Sequence, residues 1–394
     1  MTPEGKAVVV WQQQSDMGWN WDVRVKRYDA NWTGGTTLNI SSVSSIGPEV
    51  AVDDDGNAIV AWGSIDVTPQ SVYVSRFDAA NSTWSAGTTI SGNSQDAVNP
   101  RVSVAPGGDG LVVWMEAGDI MARRYDGVLD QWQPFTTVDD PNQFGAAEEP
   151  RVGIDDTGAA VVVWRQPFGS YKSVWANRAE PGGTFMQAQA QVIGSGNVHL
   201  ALPELAVDPA GNAFVVWRTY DYNGMANFDI WAARYDEGSG MWSNPQVIDA
   251  FDGTADFPRV AVDPSGNAIV VWQQIENGVR SILANRYDAG SGDWGLTEGL
   301  ETASEAASLP RVAMDAAGNA VAVWMQSDGT SESVYANRYL VASNAWQGRE
   351  LVETAAGDVL DLDVAVSAGG VAIVVWSQQQ SITNIADIYA SVLE

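Results

Sequence analysis

The chain has 394 residues, with 49 Asp plus Glu against 20 Lys plus Arg, a net charge of −29. So acidic a protein repels phosphate backbones and anionic membranes, which sets nucleic-acid binding aside. With no Cys and one His, His199, the chain can build no disulfide, no thiolate chemistry and no multi-His metal centre.

Hydrophobic residues make up 45%, enough for a large core. The apolar runs are short, Ala159 to Trp164 being typical, far below the ~20 residues of a membrane span. Eight of the 18 Trp close one recurring phrase: Trp11, Trp62, Trp114, Trp164, Trp217, Trp272, Trp324 and Trp376. Their spacing of 50 to 55 residues is the signature of a propeller or a solenoid.

Each repeat predicts four strands, A to D. Strand A is Pro-Arg-Val-Ala-Val-Asp in the fullest copy (258–263), and strand B is the run Ala268 to Trp272. Between them Asp-x-x-Gly-Asn supplies a hairpin turn, because Asp bonds its own backbone and Gly takes positive φ. Strand C is Ile282 to Asp288, and strand D is a short segment opened by Trp294. No segment carries apolar residues at helical spacing over ten or more positions.

Two features point to radial closure. Strand B is apolar on both faces, so its sheet must sit between neighbours, as a propeller blade does. The third residue after the strand-A Pro is small, as at Ala51, Ser103, Gly153, Ala206, Ala261 and Ala313 (Ala365 matches without a Pro), which suits a crowded axis. The expected fold is an all-β propeller of eight blades, with units near 1–43, 44–95, 96–145, 146–198, 199–253, 254–304, 305–356 and 357–394.

The ends are expected to be incomplete. Met1 to Ala7 aligns with Met314 to Ala320, so the chain begins inside a strand A, and unit 8 stops before any strand D. This predicts a truncated or mis-started form of a longer protein, with a weak seam between units 1 and 8 or a partner segment filling it. The competing arrangement has seven blades, in which Leu362 to Val366 completes unit 1 and the remaining C-terminal strands are displaced.

The turn phrase Ala-Val-Asp-x-x-Gly-Asn-Ala, at Ala51–Ala58, Ala206–Ala213 and Ala261–Ala268, resembles that of NHL repeats and of the related bacterial seven-bladed propeller repeats. The likeness covers about fifteen residues per unit. It implies a propeller that serves as a binding platform, with no particular activity.

Residues that recur in every unit are read as architecture. These are the strand-B Trp, the strand-D Trp and the strand-C Arg (27, 76, 124, 178, 234, 286 and 338). The Arg of strand A (101, 151, 259 and 311) belong with them and do not form a sugar-carboxylate clamp. Truncating a buried Trp of this kind costs ~3–5 kcal/mol. The run Asp53-Asp54-Asp55-Gly56-Asn57 lacks the alternating acids and distal Glu of a calcium loop and is read as a turn. No cofactor is expected, and calcium enters only as a candidate in the acidic connection around Asp249, Asp252 and Asp256. His199 is read as a loop residue.

Function is expected on the face of the variable B–C and D–A connections. Gln13, Gln166, Gln274, Gln326 and Gln378, two residues past the strand-B Trp, could offer amides there to hydroxyls or peptides, or simply cap the strand ends. Trp19 and Trp21 are the only Trp the repeat does not demand. With Asp16, Asn20 and Asp22 they predict a stacking platform for a sugar ring. Phe168, Tyr171, Tyr220, Tyr222 and Phe228 form a second aromatic group.

The expectation is a non-enzymatic secreted or surface module binding a glycan or a peptide, without membrane insertion. The alternatives are a glycoside hydrolase or lyase working with two carboxylates, and a structural segment of a larger adhesin or envelope protein carrying further repeats.

Overall fold

The computed structural model describes residues 1–15, 20–39, 43–92, 94–140, 145–185, 190–195, 199–220, 228–250, 253–276, 278–301, 305–327, 329–353, 357–379 and 386–394. Among these there is no helix. The strands form eight antiparallel sheets in sequence order, the blades of an eight-bladed β-propeller. Blades 1 to 4 lie in one compact unit (1–197 with 209–211) and blades 5 to 8 in another (198–208 with 212–394).

Blade 6 shows the plan. Strand A (Thr254–Val262) pairs with B (Ala268–Glu276), B with C (Val279–Asp288), and C with two short pieces of D (Asp293–Trp294 and Glu298–Gly299). Strand B is central because it is apolar on both sides: in blade 2 every residue of Ala58–Ser64 is buried. The strand-B Trp from Trp62 to Trp324 are at most 1% exposed. Several stack on the ring opposite them in strand C, as Trp62 on Tyr73 at 6.1 Å and Trp324 on Tyr335 at 6.5 Å.

Three expectations need correction. The D-strand Trp closes its first short piece instead of opening the strand. Trp294 pairs with Tyr287, and the second piece pairs further along C, at Ala284 and Leu283. Strand A begins several residues before its Pro and carries a β-bulge there, between Asp256 and Arg259 in blade 6. Proline has no N–H to give the ladder, so one extra residue is absorbed at that point. The residue before Pro takes φ of 52–55° in six blades, among them Leu202, Phe257 and Leu309. Finally, the seven-blade alternative does not form. Asp358–Val366 pairs with Ala372–Gln379, which pairs with Ala386–Leu393, in an eighth sheet of their own. The first sheet holds strands B, C and D, with Ala7–Gln14 as B and Trp21–Asp29 as C.

The Asp-x-x-Gly-Asn turn is a hydrogen-bonded clamp. Asp263 accepts from the Asn267 backbone N–H at 3.0 Å and from its side-chain amide at 2.7 Å, and Asn267 Oδ1 accepts the Ala289 N–H at 3.0 Å, tying the turn to the end of strand C. Asp53, Asp208 and Asp315 hold Asn57, Asn212 and Asn319 in the same way. The acids of this turn are committed to the hairpin, which explains Asp53 without a metal. Turns also pack on the preceding blade: a Cβ on Gly318 (φ +86°) would lie 2.7 Å from Asp263 Oδ2. The strand-C Arg work between blades too, Arg27 over Phe77 at 3.9 Å and Arg286 over Tyr339 at 5.8 Å.

Two stability predictions follow from the clamp. Gly318→Ala meets both a left-handed backbone and the Asp263 carboxylate, so it should lower unfolding free energy by about 1–3 kcal/mol in denaturant titration, whereas Gly369→Ala, with nothing within 4 Å, should be near neutral. Asn267→Ala leaves the 2% exposed Asp263 without its amide partner and should cost ~1–3 kcal/mol, read as a lower melting temperature.

Candidate functional site

Antiparallel pairing within each blade puts the B–C and D–A connections at one end, and that end is organised by the strand-B Trp. The Trp indole N–H donates to the side chain two residues on: Trp164 to Gln166 at 2.9 Å, Trp272 to Gln274 at 2.8 Å, Trp324 to Gln326 at 3.2 Å and Trp376 to Gln378 at 3.1 Å. In blade 3 Glu116 takes the Gln position, accepting from Trp114 at 2.9 Å and from the Gly92 N–H of blade 2 at 3.2 Å.

The amide nitrogens then reach the D–A corner of the preceding blade. Gln326 donates to Glu301 at 3.2 Å and to the Glu305 carbonyl at 2.9 Å, and Gln378 to Glu353 at 3.3 Å and the Gly357 carbonyl at 2.9 Å. Gln166, Gln274, Gln326 and Gln378 are at most 2% exposed. Gln166, Gln326 and Gln378 are joints between blades, and all four are buried away from a ligand. Gln13 is exposed and accepts from Trp11 at 3.1 Å.

In blades 1 to 3 the second residue past strand D caps an N–H near the start of strand C. Asn39 does so in blade 1, accepting from Val23 at 3.0 Å while its amide donates to Asp22 at 3.1 Å. Ser91 does so in blade 2, and Asp139 in blade 3, accepting from Ile120 at 2.8 Å and from Gln166 at 3.4 Å. Burial, and then the charge of Asp119, raise the Asp139 carboxyl to about 6 despite these bonds. In blade 5 burial, followed by the charge of Asp229, lifts Asp249 to about 7.

Of the first aromatic group, Asp16 and Trp19 lie outside the described residues. Trp21 opens strand C of blade 1, 39% exposed. Asp22 beside it is held by Asn39 and lies 3.6 Å from Arg24, and the Asn20 carbonyl accepts the Ser15 N–H. The second group divides between the two compact units. In blade 4, Phe168 is 53% exposed, sits edge-on to Trp175 at 5.9 Å and faces Tyr171 across the B–C hairpin. Arg165 and Lys172 there converge on Glu148, each at 2.5 Å, holding its carboxyl below the usual range against the effect of burial.

Blade 5 gathers the most varied chemistry. His199 is not a loop residue. It opens strand A (His199–Val207) and stacks at 5.2 Å on Tyr220, its cross-strand partner at the end of strand B (Ala213–Tyr220). Arg218 lies 5.8 Å from the Tyr220 ring and 5.1 Å from that of Phe228, and is ion-paired with Asp256 at 2.7 Å. Tyr220, Phe228 and His199 are all half-buried. Tyr222 lies outside the described residues. Sequence reasoning missed Arg218 and took Asp256 only as a calcium candidate, yet a signal was present: only blades 4 and 5 follow the strand-B Trp with Arg (Arg165 and Arg218), where the others have Gln, Gly, Met or Ser.

The acids named as a calcium candidate have different partners. Asp256 is neutralised by Arg218, Asp252 lies outside the described residues, and Asp249 faces Asp229 instead. Among the described residues no three His, Asp or Glu side chains gather in a metal-binding arrangement.

No family model and no curated protein matches the sequence. Solved structures do match in fold. A protein of unknown function from Dyadobacter fermentans aligns over 90% of this chain and 96% of its own, at 10% identity and a TM-score of 0.51. An ulvan lyase of polysaccharide lyase family PL25 aligns over 90% and 95%, at 8% identity and a TM-score of 0.58. The same type of lyase bound to -[GlcA(1-4)Rha3S]- aligns over 87% and 90%, at 8% identity and a TM-score of 0.56. At these identities the likeness is one of fold.

Proposed function

We propose that the chain is a secreted or surface glycan-binding module whose ligand site lies at the B–C and D–A end of blade 5. The observation that carries this reading is the grouping of Tyr220, Phe228 and His199 around the Arg218–Asp256 ion pair. A sugar ring needs an apolar face to lie on and fixed charged or amide groups for its hydroxyls, and half-buried rings on paired strands supply both with little entropy to lose. The occurrence of this fold in an enzyme seen bound to a sulfated, uronate-containing glycan supports the ligand class. The charge of −29 sets nucleic acid aside as a partner.

A second reading, elimination at a uronate, is favoured by His199 lying against Tyr220 with a guanidinium beside them. That chemistry takes a proton from the carbon next to a carboxylate and needs a cation on that carboxylate, roles open to these groups.

The test is a glycan array followed by calorimetry on the best ligand. Tyr220→Ala with Phe228→Ala should weaken binding at least about tenfold, or ~1.4 kcal/mol, with melting lowered by no more than a few degrees. Unchanged affinity in the double variant would move the site elsewhere. Accumulation of unsaturated uronate during the assay, lost in His199→Ala, would replace the binding reading by the elimination reading.

A further inference from the structure

The blades provide an internal comparison at the corner between the end of strand D and the start of strand C. In blade 1 the two positions are Asn39 and Asp22, joined by an amide-to-carboxylate hydrogen bond of 3.1 Å. In blade 2 they are Ser91 and Ser71. Blades 3 and 5 instead set carboxyl against carboxyl, Asp139 with Asp119 and Asp249 with Asp229.

The two acidic corners differ in how their inner carboxylate is satisfied. Asp139 accepts from the Ile120 N–H and from the Gln166 amide. Asp249 is 9% exposed, and no side chain bonds either of its oxygens; the Ile230 N–H and its own backbone are the groups that favour its charge. The neighbouring blade's Gln274 is fully buried, yet the bond its counterparts give to Asp139, Glu301 and Glu353 is not made to Asp249. The backbone between the two acids is fixed, since the Ile248 N–H donates to the Ile230 carbonyl at 2.9 Å, holding Asp229 and Asp249 at one corner.

A buried carboxylate without a side-chain donor is costly beside a second one. Two hard oxygen donors, one with no side chain bonded to it, match what a divalent cation takes from a protein when water supplies the remaining ligands. We propose that Asp229 and Asp249 form a binding site for a hard divalent cation, of the Ca2+ or Mg2+ class, at the D-to-C corner of blade 5. The cation supplies there the positive partner that the Asn39 amide supplies in blade 1. Blade 3 is not such a site, because Asp139 already accepts the Gln166 amide of the next blade. The proposal is independent of glycan binding, since it uses neither Arg218 nor the aromatic group.

The experiment uses the full chain, stripped with chelator and buffered above neutral pH, titrated with Ca2+ and with Mg2+ by calorimetry and by thermal melting. One site is expected, with an affinity for Ca2+ on the order of 10⁻⁴–10⁻³ M and a melting temperature raised by about 2–4 °C at saturation. Asp249→Asn should abolish the response and be at least as stable as the stripped wild type, since it recreates the Asn–Asp pair of blade 1. Asp229→Asn serves as the second variant on the same grounds, and Asp139→Asn should keep the response. No response of the wild type to either cation would overturn the proposal in favour of a shared proton. So would a response that survives Asp249→Asn or vanishes with Asp139→Asn.

Discussion

The structure depends on satisfying one indole N–H. Blades 2 to 8 bury a Trp at the end of the central strand, which gains a large apolar contact but strands a donor where water cannot reach. In blades 3, 4, 6, 7 and 8 a side chain two residues on, reached because a strand returns to the same side every second residue, accepts that hydrogen. In blades 4, 7 and 8 it is a Gln whose other end is a donor and finds an acceptor in the blade before. A requirement of the core thereby becomes the device that joins neighbouring blades at their loop end.

Much else on that end follows. The corner residues Asp139, Glu301 and Glu353 are placed to receive the Gln amide, and their carboxylates are buried because the joint closes over them. Where the joint varies, its chemistry varies with it. Blade 3 replaces Gln by Glu and recruits a backbone N–H, and blade 5 replaces it by Thr219, which accepts the Asp229 N–H. Blade 5 is also where the corner acid is left without a side-chain donor and where Arg218 and His199 enter. Blade 5 thus departs from the repeat at its loop end, the place where a regular scaffold can carry individual chemistry.

The same logic separates shared from individual roles. Arg101, Arg259 and Arg311 each bond the carbonyl of the preceding Pro and lie within 4 Å of an acid of a neighbouring blade, Glu49, Glu204 and Asp361. They are spent between strands and are not gathered as a clamp. A groove of about 230 Å³ is lined by Arg234, Tyr287, Trp242 and Trp294, all residues that the repeat places between blades 5 and 6.

The repeat period, the apolar strand B and the Asp-x-x-Gly-Asn turn were enough to determine eight four-stranded blades, because each rests on local spacing and on turn chemistry that acts within a few residues. The role of the strand-end Gln was not legible in the same way. A Gln two residues past a Trp reads equally as a ligand group or as a cap until the neighbouring blade supplies its acceptor, and that acceptor lies 21 to 27 residues away in Gly145, Asp139, Glu301 and Gly357. His199 with Tyr220, and Arg218 with Asp256, likewise meet only through pairing across strands and packing between blades. Such contacts depend on register and on the bulge before each Pro, which shifts strand A by one residue and so decides which side chains face one another.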